Sequence, residues 1–300
     1  MKEKEDVTLN KERFLSPEFK ELWDKIKYKT VYQVDFSSEE LIEKCLVEIE
    51  KTLTKTQRRI SQLNALVGIK QGGIVAKETE SGRIYSLNKV ELAKLPDVVT
   101  NLQNATDLTR KTIIEILIRS NTLDVFELNP QIYMQEMTDI INSVKEDFIV
   151  DGIKYSKHKN KDYYAQQLFE DEEISGYMND NLLKSEKGVY DHVVYDSTVE
   201  REFAEKLESN RDVLVYVKLP RWFKIPTPLG NYNPDWAILI NDDGKEKFYF
   251  VTETKGVRRG NRTTEEKKID CGIEHFKAVG EDVKYIVATT FDDVLNEVNS

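Results

Sequence analysis

Two short runs hold the residues best suited to chemistry: Asn233-Pro234-Asp235-Trp236 and Glu253-Thr254-Lys255-Gly256. Between them lie the apolar run Trp236-Ala237-Ile238-Leu239-Ile240, an Asn241-Asp242-Asp243-Gly244 step and a second apolar run, Phe248-Tyr249-Phe250-Val251. An Asp-Gly step flanked by apolar runs predicts a β-hairpin. Side chains alternate along a strand, so Tyr249, Val251, Glu253 and Lys255 fall on one face of the second strand. Glu253 and Lys255 then project together from the end of an otherwise apolar strand, with Asp235 at the start of its partner. Two carboxylates a few Å apart repel, and a divalent cation relieves the repulsion. A lysine beside them can polarise an attacking water or offset charge developing on a phosphate. Such a set suits phosphodiester hydrolysis. Each half alone has a plainer reading, because Pro-Asp is common at turns and Glu-x-Lys on a strand is often an exposed ion pair. The hairpin that joins the halves favours the hydrolytic reading.

The elements that must position these residues are legible on either side. Ser197-Thr198-Val199-Glu200 has the form of a capping box at the start of a helix over 197–207. Glu200, Phe203, Ala204 and Leu207 follow at i, i+3, i+4 and i+7, so Glu200 lies on the apolar face of that helix. A carboxylate on a buried face needs a partner, and a metal or Lys255 would serve. A purely structural cap explains Glu200 equally well. Residues 213–219 read as a strand, 264–278 as a helix and 283–288 as a last strand. On the late helix Ile269, Ile273 and Phe276 carry the apolar face. Lys268 and His275 share another face with Gly272 between them, where a small residue would let a backbone or a phosphate approach closely. His275 is read as a surface or packing histidine and Cys271 as a small buried residue. Trp222, Tyr232 and Trp236 are read as core, although an exposed Trp222 could stack on a base.

Residues 1–185 read as mainly helical with some strand. A helix starts at Ser37-Ser38-Glu39-Glu40, and further helices begin near Asp107 and near Pro130. Short strands are expected at 66–69, 73–76 and 83–87, and 152–177 is polar, Tyr-rich and without clear periodicity. Asn, Asp, Ser and Lys cluster with Gly188 over 179–188, which predicts a linker there. The expected organisation is therefore a mainly helical α+β region over 1–185, then a compact α/β domain over 186–300 with a central mixed sheet flanked by helices.

Composition bounds the rest. A chain of 300 residues, 39% hydrophobic and 33% charged, has room for two cores and a well-charged surface. It has no run of about 18 apolar residues, so no membrane span is expected. The charged start, Met1-Lys2-Glu3-Lys4-Glu5-Asp6, is unlike a signal peptide. Cys45 and Cys271 with three histidines do not make a convincing zinc site, and they fit a reducing cytoplasm. A net charge of −10 argues against indiscriminate DNA binding. Basic residues nevertheless cluster just after the candidate site, at Lys255, Arg258, Arg259, Arg262, Lys267 and Lys268. Such a rim suits a nuclease, although a solvated loop would look alike. The G-x-x-x-x-G-K-[ST] phosphate loop, G-x-S-x-G and H-E-x-x-H do not occur, so no nucleotide site, esterase or zinc protease is indicated.

Ser197-x-x-Glu200, Asn233-Pro234-Asp235-Trp236, Glu253-Thr254-Lys255-Gly256 and Lys268-Ile269-Asp270-Cys271-x-x-x-His275-Phe276 together resemble the PD-(D/E)xK nuclease superfamily. Within it they resemble the C-terminal endonuclease region of the Res subunit of type III restriction-modification enzymes. Phe19-Lys20-Glu21-Leu22-Trp23-x-x-Ile26 is similar to the segment that joins motor to nuclease in those subunits. The resemblance implies a restriction-endonuclease-like fold, Mg²⁺ (or Mn²⁺) held by Asp235 and Glu253, Lys255 assisting the attacking water and Glu200 as an auxiliary acid. Arg258, Arg259, Arg262 and Lys268 are the candidate DNA contacts. It also implies double-stranded DNA as substrate, and a modification (methyltransferase) subunit and a helicase-like motor region as partners. The chain lacks the motor, so it resembles a C-terminal portion or a split subunit. Two other readings stay open: a related nuclease of the same fold acting in repair, and an assembly module that binds DNA or a partner without cutting.

Overall fold

The computed structural model describes residues 4–35, 37–53, 63–70, 73–80, 95–158, 162–172, 174–177, 180–242, 246–254, 263–280 and 282–299. The chain divides into two compact units, one made of Met1–Asp35 with Ile149–Ser300, the other of Phe36–Phe148. This division does not fall at the expected boundary near 185.

The first unit opens with strand β1 (Lys4–Val7) and helices α1 (Lys11–Phe14) and α2 (Pro17–Ile26), followed by β2 (Thr30–Val34). Ser16 caps α2 through a bond from the Phe19 amide, and Pro17 occupies the first turn, where its missing N–H costs nothing. Phe19, Leu22, Trp23 and Ile26, at i, i+3, i+4 and i+7, are all fully buried.

The second unit is mostly helical. It contains α3 (Ser38–Thr52), a hairpin of β3 (Leu63–Lys70) and β4 (Gly73–Glu80), α4 (Val98–Thr106), α5 (Arg110–Ser120), α6 (Leu123–Leu128) and most of α7 (Pro130–Asp151). Ser37 caps α3 and Thr109 caps α5, each accepting from the amide three residues on. Leu41, Cys45, Leu102, Ile113, Ile116, Tyr133, Met137 and Ile141 form its core. The expected strands at 66–69 and 73–76 lie within the hairpin. The one expected at 83–87 falls outside the described residues. Helix α4 was not expected, because Val98-Val99-Thr100-Asn101 favours a strand or a turn by local preference. Asp97 overrides that preference by capping the first turn.

The chain re-enters the first unit through β5 (Ile153–Lys157), β6 (Ile174–Tyr177), β7 (Leu182–Lys184), β8 (His192–Val194) and α8 (Thr198–Ser209). It continues with β9 (Val213–Lys218), β10 (Trp236–Asp242), β11 (Glu246–Thr254), α9 (Thr264–Val279), β12 (Val283–Ala288) and α10 (Phe291–Val298). Four strands form a mixed sheet in the order β12-β11-β10-β9, with β10 antiparallel to both β9 and β11 and β12 parallel to β11. The parallel step needs a long crossover, and α9 supplies it. Strand alternation splits the sheet into two apolar faces. Val215, Val217, Ala237, Leu239, Tyr249 and Val251 pack with Phe19, Leu22, Trp23 and Ile26 of α2 and with Ile269, Phe276 and Val279 of α9. Tyr216, Trp236, Ile238, Ile240 and Phe250 pack with Phe203, Ala204 and Leu207 of α8 and with Phe291 and Val294 of α10. This is the expected mixed α/β architecture, a central sheet flanked by helices.

Two sequence expectations are corrected here. Residues 19–26 cover one face of the C-terminal sheet instead of belonging to a separate N-terminal region, because sheet and helix each need the other's apolar side buried. Residues 182–188, expected within a linker, are built into the fold. Glu208 of α8 accepts from the Ser185 hydroxyl at 2.5 Å, the Tyr216 hydroxyl at 2.6 Å and the amides of Glu186 and Lys187 at 3.1 and 3.3 Å. A polar sequence looked like a linker because its polar groups satisfy each other rather than water.

Candidate active site

The site is built where β10 begins and β11 ends. The register pairs Trp236 with Thr252. Asp235 and Glu253 thus flank the last described rungs of that ladder, as the hairpin reading required. The Asp243-Gly244 turn between the strands lies outside the described residues.

Asp235 is oriented by its neighbours. Its Oδ2 accepts from the Thr254 amide at 2.8 Å and the Thr254 hydroxyl at 2.6 Å. The Trp236 indole N–H in turn donates to the Thr254 hydroxyl oxygen at 3.4 Å. The Asp235 amide carbonyl accepts from Leu219 N at 2.7 Å, and the Asn233 side-chain amide donates to the carbonyls of Pro220 and Phe223. The Asn-Pro-Asp-Trp run therefore pins the loop that follows β9 and presents one carboxylate. Burial raises the Asp235 pKa above its ordinary value. The Thr254 hydrogen bonds and the Lys218 charge work against that rise, and the Glu200 carboxylate adds to it.

Glu253 shares its face with Tyr249 and Val251, as alternation demands, and is half-buried. Its Oε2 accepts from the Tyr232 hydroxyl at 2.6 Å, and the Tyr232 and Tyr285 hydroxyls are hydrogen-bonded to each other. Burial is the main cause raising the pKa of both tyrosines, and the Glu253 charge adds to it. The Tyr285 hydroxyl also feels Asp235, so both carboxylates lie within electrostatic reach of one phenol.

Glu200 sits on the predicted face of α8 with a side chain 14% exposed. Its partner is Lys218 of β9, whose Nζ lies 2.7 Å from Glu200 Oε2, 3.4 Å from Asp196 Oδ2 and 3.0 Å from the Val194 carbonyl. Ser197 caps the helix as expected, but Glu200 accepts from the Asp196 amide, one residue before the cap, so the box is not reciprocal. Sequence reasoning passed over Lys218; of the candidates it named, Lys255 falls outside the described residues. Lys218 stands directly opposite Trp236 on the neighbouring strand.

Other expectations can be placed. Lys255, Arg258, Arg259 and Arg262 fall outside the described residues. Lys268 is half-buried on α9, 3.8 Å from Glu265. Lys267, read as part of the basic rim, is buried instead. His275 is a packing histidine. Its Nδ1 is 2.7 Å from the Thr30 hydroxyl, its ring lies edge-on to Tyr155 and Phe276, and burial lowers its pKa to about 3. Gly272 admits the ring of Tyr232 rather than a phosphate: a Cβ there would lie 2.7 Å from Tyr232 Cε1. Trp222 is half-buried and packs edge-on against Trp23 and Phe169 at the margin of the aromatic core. Cys45 and Cys271 are both buried.

Among the described residues, no group of three or more His, Cys, Asp or Glu is arranged to hold a metal ion. Two oriented carboxylates without histidine or thiolate do not make a closed cage. They match the donor set of a hard cation that keeps waters and takes a substrate phosphate as a further ligand. No helix among the described residues is long and apolar enough to cross a membrane.

Residues 186–291 match the model of a family described as an endonuclease domain. With the mixed sheet and its flanking helices, the match supports a restriction-endonuclease-like fold over these residues. No curated protein and no solved structure matches the chain.

Proposed function

We propose that this nuclease domain hydrolyses DNA phosphodiester bonds with Mg²⁺ (or Mn²⁺) as the C-terminal portion of a type III restriction enzyme's Res subunit. The observation that supports the reading is the placement of Asp235 and Glu253 at adjoining strand ends, each carboxylate accepting from a hydroxyl. In this proposal Asp235 and Glu253 hold the cation, which when bound supplies charge to stabilise in-line displacement at phosphorus. Lys255, two residues beyond Glu253, assists the attacking water. Glu200 acts as an auxiliary acid at the edge of the site, its charge shared with Lys218. Arg258, Arg259, Arg262 and Lys268 are proposed to contact the DNA backbone. A modification subunit would supply sequence recognition and a helicase-like motor region would deliver the DNA, in the cytoplasm.

Plasmid cleavage by the purified chain with Mg²⁺ or Mn²⁺ tests the chemistry, beside Asp235→Asn, Glu253→Gln and Lys255→Ala. Metal-dependent cutting that each substitution abolishes in a folded chain is the expected result. Cutting retained in any folded one of the three removes that residue from the proposal.

A further inference from the structure

The nuclease reading assigns the carboxylates but leaves unexplained why two tyrosines reach one of them from elsewhere in the sequence. Tyr232 precedes β10, 21 residues before Glu253, and Tyr285 lies on β12. Both come from firmly held backbone. Tyr232 exchanges two backbone hydrogen bonds with Ile225, at 2.7 and 2.9 Å, and is 1% exposed. Tyr285 pairs with Val251 on the neighbouring strand, and its ring stacks on Phe276 at 5.6 Å. Space for the Tyr232 ring is made by Gly272 of α9, the only residue type whose missing side chain allows the 2.7 Å approach.

The direction of the hydrogen bonds follows from donor counting. A carboxylate only accepts, so the Tyr232 proton goes to Glu253 Oε2. The Tyr232 oxygen then accepts from Tyr285. A hydroxyl that is itself hydrogen-bonded is a better donor, so the second tyrosine strengthens the first bond. The other carboxylate has an equivalent arrangement, Trp236 donating to the Thr254 hydroxyl and Thr254 to Asp235. Each carboxylate is thus fixed by a two-member donor chain ending on one of its oxygens.

We infer that Tyr232, backed by Tyr285, is a positioning residue that locks the Glu253 side chain in the orientation needed to bind the divalent cation. The inference rests on the nuclease reading above. A free glutamate samples several rotamers, and a metal that must select one binds more weakly. Groups that orient metal ligands typically contribute 10–100-fold in affinity or activity. Tyr232→Phe and Tyr285→Phe keep both rings and remove only the hydroxyls.

The test is Mn²⁺ binding to the full chain by calorimetry, with cleavage against Mn²⁺ concentration and urea unfolding measured alongside. Tyr232→Phe is expected to weaken Mn²⁺ binding about tenfold or more, and Tyr285→Phe less, since it acts through Tyr232. Saturating Mn²⁺ should return cleavage by both variants close to the wild-type rate, because the ligands themselves are intact. If Tyr232→Phe binds Mn²⁺ as the wild type does, the positioning role is overturned while the nuclease reading stands, whether or not stability falls. If the wild-type chain binds no Mn²⁺, or binds it unchanged after Glu253→Gln, the nuclease reading and the inference fall together.

Discussion

Gly272→Ala separates helix propensity from packing, because the two effects have opposite sign at this position. In an open helix interior alanine is favoured over glycine by about 1 kcal/mol. On the inner face of α9 the new Cβ would lie 2.7 Å from Tyr232 Cε1, 3.1 Å from Cδ1 and 3.5 Å from Tyr285 Cε2. Carbon atoms attract best at about 3.5–4.0 Å, so the Tyr232 ring must retreat by nearly 1 Å. It has little room to do so, being buried against Ile225, Phe276 and Tyr285. Overpacking of this kind costs about 1–3 kcal/mol. The propensity gain offsets part of that, leaving a net loss of up to about 2 kcal/mol in urea unfolding. The same retreat stretches the 2.6 Å bond to Glu253 towards the limit of a hydrogen bond, so Mn²⁺ affinity should fall although every polar group remains. A Gly272→Ala chain stabilised by about 1 kcal/mol, with wild-type Mn²⁺ affinity, would refute both the packing argument and the coupling of α9 to Glu253.

Further outcomes follow from the same geometry. Lys218→Met leaves the largely buried Glu200 carboxylate without its cation and should cost about 1–3 kcal/mol in urea unfolding; a loss below 0.5 kcal/mol, taken as the usual scale of a surface change, would mark the pair as solvent-screened. Because Lys218 also lowers the Asp235 pKa, Lys218→Met should move the loss of Mn²⁺ binding on acidification to higher pH, a shift read by calorimetry across a pH series. His275 is neutral in the fold, with a pKa lowered to about 3, and regains its ordinary value of 6.5 on unfolding. The unfolded chain therefore takes up the extra proton, so this stability is intact above pH 6.5 and is lost as pH falls from 6.5 towards 3. The slope should approach about 1.4 kcal/mol per pH unit and be largely absent in His275→Gln. An equal slope in both chains would exclude the histidine as its source. Glu208→Ala removes four hydrogen-bond acceptances at once and should cost about 3 kcal/mol or more. Limited proteolysis should then cut within 185–188, where the wild-type chain resists; cutting there in the wild type would restore that stretch as a linker.

The sequence by itself determined the parts of this protein that depend on neighbours in the chain. The two-residue alternation of 236–240 and 248–251 defined β10 and β11 and put Glu253 on the face of Tyr249 and Val251. The 3.6-residue stripe of Phe203, Ala204 and Leu207 defined α8, and Ser197 marked its start. These patterns repeat within a few residues, so burying one face requires them whatever the rest of the chain does. Only the tertiary structure decided what meets at the site. Lys218 neutralises Glu200 across an ion pair, Thr254 orients Asp235, and Tyr232 and Tyr285 converge on Glu253 from two different elements. The docking of Phe19, Leu22, Trp23 and Ile26 on the C-terminal sheet was equally hidden, because an amphipathic stripe states that it needs an apolar partner without saying which one. A lone lysine or tyrosine in a sequence carries no mark of its distant partner. Which polar groups pair is set by the closure of the sheet and the packing of α9 across it, where each buried donor and acceptor must find its match.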